Sequence, residues 1–245
     1  MNDVIYYILS AVAVLIALTV HEYSHGYTAY KMGDCTARNL GRLTLNPIKH
    51  IDPIGALCML FFHVGWAKPV PINPRNFKNP KRGFALTALA GPVSNIALAF
   101  ITAPIYLVLF RALIGYGGAT SDFGYKLLDN TLTFVAIFFS VNIGLGIFNL
   151  LPIPPFDGSR ILNVVLPPRI YFGIMKHERQ IYLGVLGWLI LGDVIKSGLL
   201  SVPFIAASPV LSFIAGIFSL SDMLGYAITE ISKLILKLWQ LIPGL

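Results

Sequence analysis

The stretch VIYYILSAVAVLIALTVHEYSHGYTAYK (residues 4–31) decides how the rest of the chain is read. From Val4 to Val20 it is almost wholly apolar. The cluster HEYSH (21–25) follows, and apolar character resumes at Tyr27, Ala29 and Tyr30. About 20 helical residues are needed to cross ~30 Å of hydrocarbon. The segment is long enough to span, with His21, Glu22 and His25 in its second half. The flank is acidic (Asp3), and no small-residue cleavage site ends the apolar stretch, so a retained helix is expected rather than a signal peptide. Ionisable groups in a membrane helix are costly, which makes a functional site the default reading of the cluster.

The composition agrees with a membrane protein. Of 245 residues, 56% are hydrophobic and 12% charged, where a soluble domain carries about 25% charge. Twenty-nine charged residues, 18 basic and 11 acidic, are too few to cover a soluble surface of this size. A net charge of +7 would suggest nucleic acid in a soluble protein. In a membrane protein it reads as basic cytoplasmic loops, so no nucleic-acid partner is expected. Cys35 and Cys58 form no C-x-x-C pair and require no disulfide.

Five segments are apolar enough to span: about 4–30, 84–110, 127–151, 181–200 and 203–220. The expected fold is therefore an all-α polytopic membrane protein of about five to six transmembrane helices, a single domain over 1–245 with its core in about 1–165 and additional helices over about 181–220. Nine basic residues lie between Lys31 and Arg82, and four more are Arg160, Arg169, Lys176 and Arg179. Those 13 of 18 fall in two loops on one side by parity, while 111–126 holds only Arg111 and Lys126. The positive-inside rule then places a multi-pass protein in the cell membrane with its N-terminus extracytoplasmic. The later ends of the first and third spans face the cytoplasm.

Residues 31–82 are more than a loop. RNLGRLTLNP (38–47) alternates enough for a short strand pair, and GWAKPVPIN (65–73) reads as extended and Pro-punctuated. Ile54–Val64 is apolar but too short to span, which suits a re-entrant element beside the hairpin. Near the C-terminus, about 225–241, apolar residues from Ile228 to Leu241 recur at helical spacing, giving an amphipathic helix for the membrane face or a partner.

On a helix, His21 and His25 share a face and can bind one metal ion, with Glu22 placed to hold and deprotonate a metal-bound water. Zn²⁺ lowers the pKa of bound water to about 7. A tetrahedral site needs a third protein ligand. Among the 11 acidic residues only Asp157, in NLLPIPPFDGSRIL (149–162), lies in a strongly structured apolar context. Three prolines deny that stretch regular helix and deliver Asp157 from a bend at the cytoplasmic end of the third span, where Gly158 permits the turn. Asn95 and Asn149 are candidate substrate-binding residues whose amides could bond an extended backbone or a developing oxyanion. A helix–helix hydrogen bond is the alternative for each. Asn142 reads as packing. GPVSN (91–95) puts Gly91 and Pro92 at a helix interruption that allows close approach to the metal-bearing helix. His50, His63 and His177 read as satisfied polar or interface groups, and Lys68 as a snorkelling residue.

HEYSH, GPVSN and N-x-x-P-x-P-P-x-D-G (149–158), with GRLTLNPIKHIDPIG (41–55) and GWAKPVP (65–71), resemble in order the site-2 protease family of intramembrane zinc metalloproteases. The resemblance implies one Zn²⁺ per chain on His21, His25 and Asp157, with Glu22 as catalytic acid/base. It implies regulated intramembrane proteolysis, in which transmembrane segments of membrane protein substrates are cut. Phe156 stands where the family usually has Leu. No gap accommodates a PDZ or CBS domain, so a compact form is expected. A substrate strand adding to the 38–75 elements is a further expectation. A metal-dependent transporter would scatter its charges over several spans with paired repeats. A catalytically inactive scaffold of the same fold would have lost Glu22 or a ligand. The sequence sets no oligomeric state.

Overall fold

A computed structural model describes residues 3–55, 67–117, 120, 122–202, 204, 208 and 219–242. Helix α1 (Asp3–Lys31) buries Ala13, Ala17, His21, His25 and Ala29, a ridge recurring every fourth residue. Four-residue spacing keeps these side chains on one face, and small residues let helix backbones approach closely in a membrane. The histidines thus sit on the packing ridge itself. Chain reversal after α1 follows from Gly33, whose φ of +111° suits glycine. Gly33 N–H donates to Tyr30 C=O and Asp34 N–H to Ala29 C=O, which closes the helix in a Schellman motif.

A helical turn, α2 (Thr36–Asn39), leads into the long connection. Helix α3 (Pro80–Ile114) opens with Asn79, whose side chain accepts from Arg82 N–H, and with Pro80 in the first turn, where no N–H is needed. It buries Ala85, Ala88, Gly91, Asn95, Ala99 and Ala103. Helix α4 (Phe123–Asn149) packs against both α1 and α3. These three helices are long and apolar enough to cross a membrane. Their outer faces fit that solvent: Ile101 is 60% exposed, with Ile105 and Val108 also turned outward.

The helix interruption expected at Gly91–Pro92 is not there. The helix continues through Pro92 and Pro104, with Ser94 Oγ donating to Gly91 C=O across the proline turn.

The strand pair expected over 38–47 is also absent. Gly41 takes φ +64° in its middle, and Asn46 caps a 3₁₀ turn over Pro47–His50 by accepting from Ile48 N–H. Among the described residues, pairing is limited to one antiparallel bridge, Ile51 to Ala67, with Lys68 N–H donating to His50 C=O at 2.8 Å. Pro69 and Pro71 have no N–H with which to continue the ladder. The re-entrant element expected at 54–64 lies almost wholly outside the described residues, as does most of the span expected at 203–220.

Short helices α5 (Asp157–Val165) and α6 (Pro168–Met175) precede α7 (Glu178–Leu200), which occupies the fourth apolar segment. Helix α8 (Leu220–Gln240) packs part of its apolar stripe on the bundle, while Leu234 and Leu238 stay exposed. Ile235 is buried against Ala99, Ala103, Phe139 and Ile143 of α3 and α4, and Trp239 Nε1 donates to Phe100 C=O at 2.9 Å.

Candidate metal centre

His21 and His25 project from the α1 ridge toward Gly91 of α3. A Cβ at position 91 would lie 2.5 Å from His25 Nε2 and 2.6 Å from His21 Cε1, so the two imidazoles occupy the space that glycine leaves. The rings stand nearly perpendicular, with centroids 4.5 Å apart. Asp157 reaches them from below. After α4 ends at Asn149, the Pro-rich turn brings Phe156 onto Phe148, ring centroids 4.2 Å apart, and Asp157 opens α5. A carboxylate suits the first turn of a helix, where unpaired N–H groups point outward. Gly158 is required here, because a Cβ would run into the carbonyl of Leu150.

Asp157 Oδ2 lies 3.1 Å from His21 Nε2 and 3.1 Å from His25 Nε2, and the two Nε2 atoms are 2.9 Å apart. His21 and His25 are buried, and the Asp157 side chain is 17% exposed.

The outer nitrogens are also engaged. His21 Nδ1 donates to Asn95 Oδ1 at 2.6 Å, and His25 Nδ1 donates to the Thr87 carbonyl at 2.7 Å. Both partners only accept, so each Nδ1 carries its proton and each neutral ring turns an Nε2 lone pair inward. Two lone pairs and a carboxylate oxygen then face one another at about hydrogen-bond distance. Such a cluster repels itself unless a cation lies among its members: a proton shared with Asp157, or a metal ion. Two neutral imidazoles and one carboxylate are the donor set of a catalytic Zn²⁺ site, and the Nδ1–H···O bonds are the outer support that such ligands need. The residues present fit zinc.

Glu22 does not join the three-group cluster. Its Oε2 accepts from Val70 N–H at 2.7 Å. Val70 lies between Pro69 and Pro71, so its amide is the one N–H the P-V-P stretch can offer. Arg42 Nη2 holds the same stretch by donating to the carbonyls of Lys68 (2.8 Å) and Pro69 (3.2 Å). Asp34, fully buried beyond the end of α1, accepts from Asn73 N–H (2.7 Å), Asn76 Nδ2 (2.8 Å) and the amide and hydroxyl of Thr36. Burial alone would raise the Asp34 carboxyl, but these hydrogen bonds lower it below its ordinary value. The strap over Glu22 is therefore tied at both ends.

The Lys68 N–H and C=O, the Pro69 C=O and the Val70 N–H are engaged in this way, and 38–47 forms no strand. Among the described residues of this connection, pairing is limited to the Ile51–Ala67 bridge.

Asn95 is fully buried. Its Oδ1 accepts from His21 Nδ1–H while its Nδ2 donates to Ala17 C=O (3.2 Å) and Asn142 Oδ1 (2.9 Å). The amide thus faces His21 from behind and bridges α1, α3 and α4. Asn149 Nδ2 donates to Leu145 C=O, one turn back on its own helix, at 3.0 Å. His50 is buried with Nε2 donating to Thr44 C=O, and His177 Nδ1 donates to Gly173 C=O. His63 lies outside the described residues.

Sequence reasoning missed four contributors: the Thr87 carbonyl, the Val70 amide, Asn142 and Asp34. Two are backbone groups with no side-chain signature. A polar Asn142 in an otherwise apolar helix was a signal open to reading.

Residues 9–191 match the model of Peptidase family M50. The chain is 43% identical over 179 residues to "Putative zinc metalloprotease YwhC" of Bacillus subtilis, covering 69% of this chain and 77% of that protein. It is 26% identical to "Putative zinc metalloprotease Rip2" of Mycolicibacterium smegmatis, over 66% of this chain and 59% of that protein. It is 28% identical to "Putative zinc metalloprotease MJ0611" of Methanocaldococcus jannaschii, over 66% of this chain and 72% of that protein. No solved structure matches. A family model covering residues 9–191, these relatives, three membrane-length helices and a His–His–Asp group together make the chain a membrane-embedded member of Peptidase family M50, the site-2 protease family, with Zn²⁺ as its cofactor.

Proposed function

We propose that the chain is an intramembrane zinc metalloendopeptidase that hydrolyses peptide bonds in transmembrane segments of other membrane proteins. The observation that carries this reading is the convergence of His21, His25 and Asp157, whose ligand atoms lie within 4.8 Å of one another where α1, α3 and α5 meet. In this reading His21, His25 and Asp157 hold the zinc. When bound, zinc supplies Lewis-acid polarisation of the scissile carbonyl and acidifies a water. Glu22 accepts the proton of the attacking water and returns it to the leaving amine nitrogen. The Val70 N–H fixes one carboxylate oxygen, which leaves the other to face the proton it must move. Asn149 is the proposed substrate contact. The site opens toward the cytoplasm with the N-terminus outside, as the Lys/Arg asymmetry of the loops supports.

The test is Glu22→Gln in full-length protein reconstituted with a candidate transmembrane substrate. Zinc at one equivalent is expected in both proteins, with cleavage lost in the variant. Full cleavage by Glu22→Gln would overturn the mechanism. Zinc-dependent ion flux into vesicles without cleavage would favour a transporter.

A further inference from the structure

We infer that Asn142 and Asn95 form a directional hydrogen-bond relay that sets the tautomer of His21, which makes Asn142 a positioning residue for the metal centre although it touches neither the metal cluster nor a substrate. The inference rests on the ligand set proposed above. Its direction follows from groups that can act in one way only. Asn142 Nδ2 lies 2.8 Å from Phe138 C=O, a carbonyl that accepts. That orients the Asn142 amide and turns its Oδ1 toward Asn95. Oδ1 only accepts, so the atom of Asn95 facing it at 2.9 Å is Nδ2. The same Nδ2 lies 3.2 Å from Ala17 C=O, a second obligate acceptor. Asn95 Oδ1 is left facing His21 Nδ1 at 2.6 Å, which requires the proton on Nδ1 and the lone pair on Nε2. Amide orientation and imidazole tautomer are ordinarily inferred from surroundings; here backbone carbonyls at two points dictate both.

Asn142 and Asn95 are each fully buried, on α4 and α3, between spans where few polar groups can substitute for one another. His25 has a different arrangement. Its Nδ1 donates directly to the Thr87 backbone, which no substitution removes. Control of the centre by side chains therefore runs through His21. Outer partners of metal-bound histidines fix ring orientation and raise basicity, and their loss typically costs about 10–100-fold in metal affinity or activity.

The experiment uses purified full-length protein with Asn142→Asp and Asn142→Leu. Zinc affinity is measured by chelator competition, and the tautomer of His21 by ¹⁵N shifts of labelled histidine in zinc-stripped protein. Asn142→Asp, as the neutral acid, keeps an acceptor for Asn95 Nδ2 and an O–H donor for Phe138 C=O, and is expected within a few-fold of wild type. Asn142→Leu removes both and is expected to weaken zinc about tenfold, the lower end of that range, and to mix the His21 tautomers. A packing role alone predicts the reverse order, because leucine suits an apolar bundle better than a carboxyl group. Asn142→Leu with wild-type affinity and a pure tautomer would overturn the relay. If neither variant folds, the wild-type spectrum decides: Nδ1-protonated His21 supports the relay and Nε2-protonated His21 overturns it. Wild-type protein that binds no zinc would refute the ligand set instead, while the apo spectrum still reports on the relay.

Discussion

Replacing Gly91 by alanine tests whether α3 shapes the metal centre. The new Cβ would lie 2.5 Å from His25 Nε2 and 2.6 Å from His21 Cε1. Ordinary contact begins at 3.4 Å, so the rings must retreat by about 0.9 Å. A metal site tolerates about 0.2 Å in its ligand distances. The rings also have little freedom, since Asn95 and Thr87 hold their Nδ1 atoms. Overpacking typically costs about 1–3 kcal/mol. Borne by the metal-bound state, that corresponds to about 5–150-fold weaker zinc binding. Chelator competition on purified Gly91→Ala reads this directly. Gly144→Ala is the matched control on α4, where a Cβ meets only Ile228 Cδ1 at 3.4 Å. Zinc affinity in Gly91→Ala equal to that of Gly144→Ala would refute the argument that glycine makes room for the two imidazoles.

Three other outcomes are expected. Val70→Pro deletes the N–H held by Glu22 whereas Val70→Ala keeps it, so cleavage by the proline variant should be at least ~10-fold slower than by the alanine variant, with zinc content equal in both. Asp34→Asn weakens the tie between the end of α1 and the 70–76 strap and should cost about 1–3 kcal/mol of stability at neutral pH. The Asp34 carboxyl is lowered in the folded state, so its contribution is complete above its ordinary value of 3.8 and is lost as pH falls through the lower folded value; unfolding midpoints of wild type and Asp34→Asn should converge in that acid range. Ile235→Ala opens a cavity between α8 and the bundle and should cost about 2–5 kcal/mol, seen as protease sensitivity of 220–240 ahead of the three long helices.

Much of the long-helix architecture was legible because lipid allows few solutions. An apolar run of sufficient length must satisfy its backbone internally, so residues 4–30, 84–110 and 127–151 read as spans and appear as helices. The connection from 31 to 82 was harder. Its alternation suggested strands, but Gly41, Pro47, Pro69 and Pro71 each interrupt pairing, and the ties that replace it, Asp34 to Asn73 and Arg42 to Lys68, join residues far apart in the chain. Gly91–Pro92 misled for a related reason. In a packed bundle the helix can continue through proline, and the glycine serves the facing imidazoles rather than a break.

For the centre itself, residue chemistry was enough to name His21, Glu22, His25 and Asp157 as a group, because two imidazoles one turn apart and a carboxylate at a proline-stiffened bend have few other uses in an apolar chain. Tertiary structure decided which way each group points. That Asn95 stands behind His21, that Thr87 holds His25, and that Val70 holds Glu22 depends on how α1, α3, α4 and the strap pack together. A proton's position on an imidazole is set by the acceptor opposite it. In this protein those acceptors come from Asn95 and Thr87, more than sixty residues away along the chain.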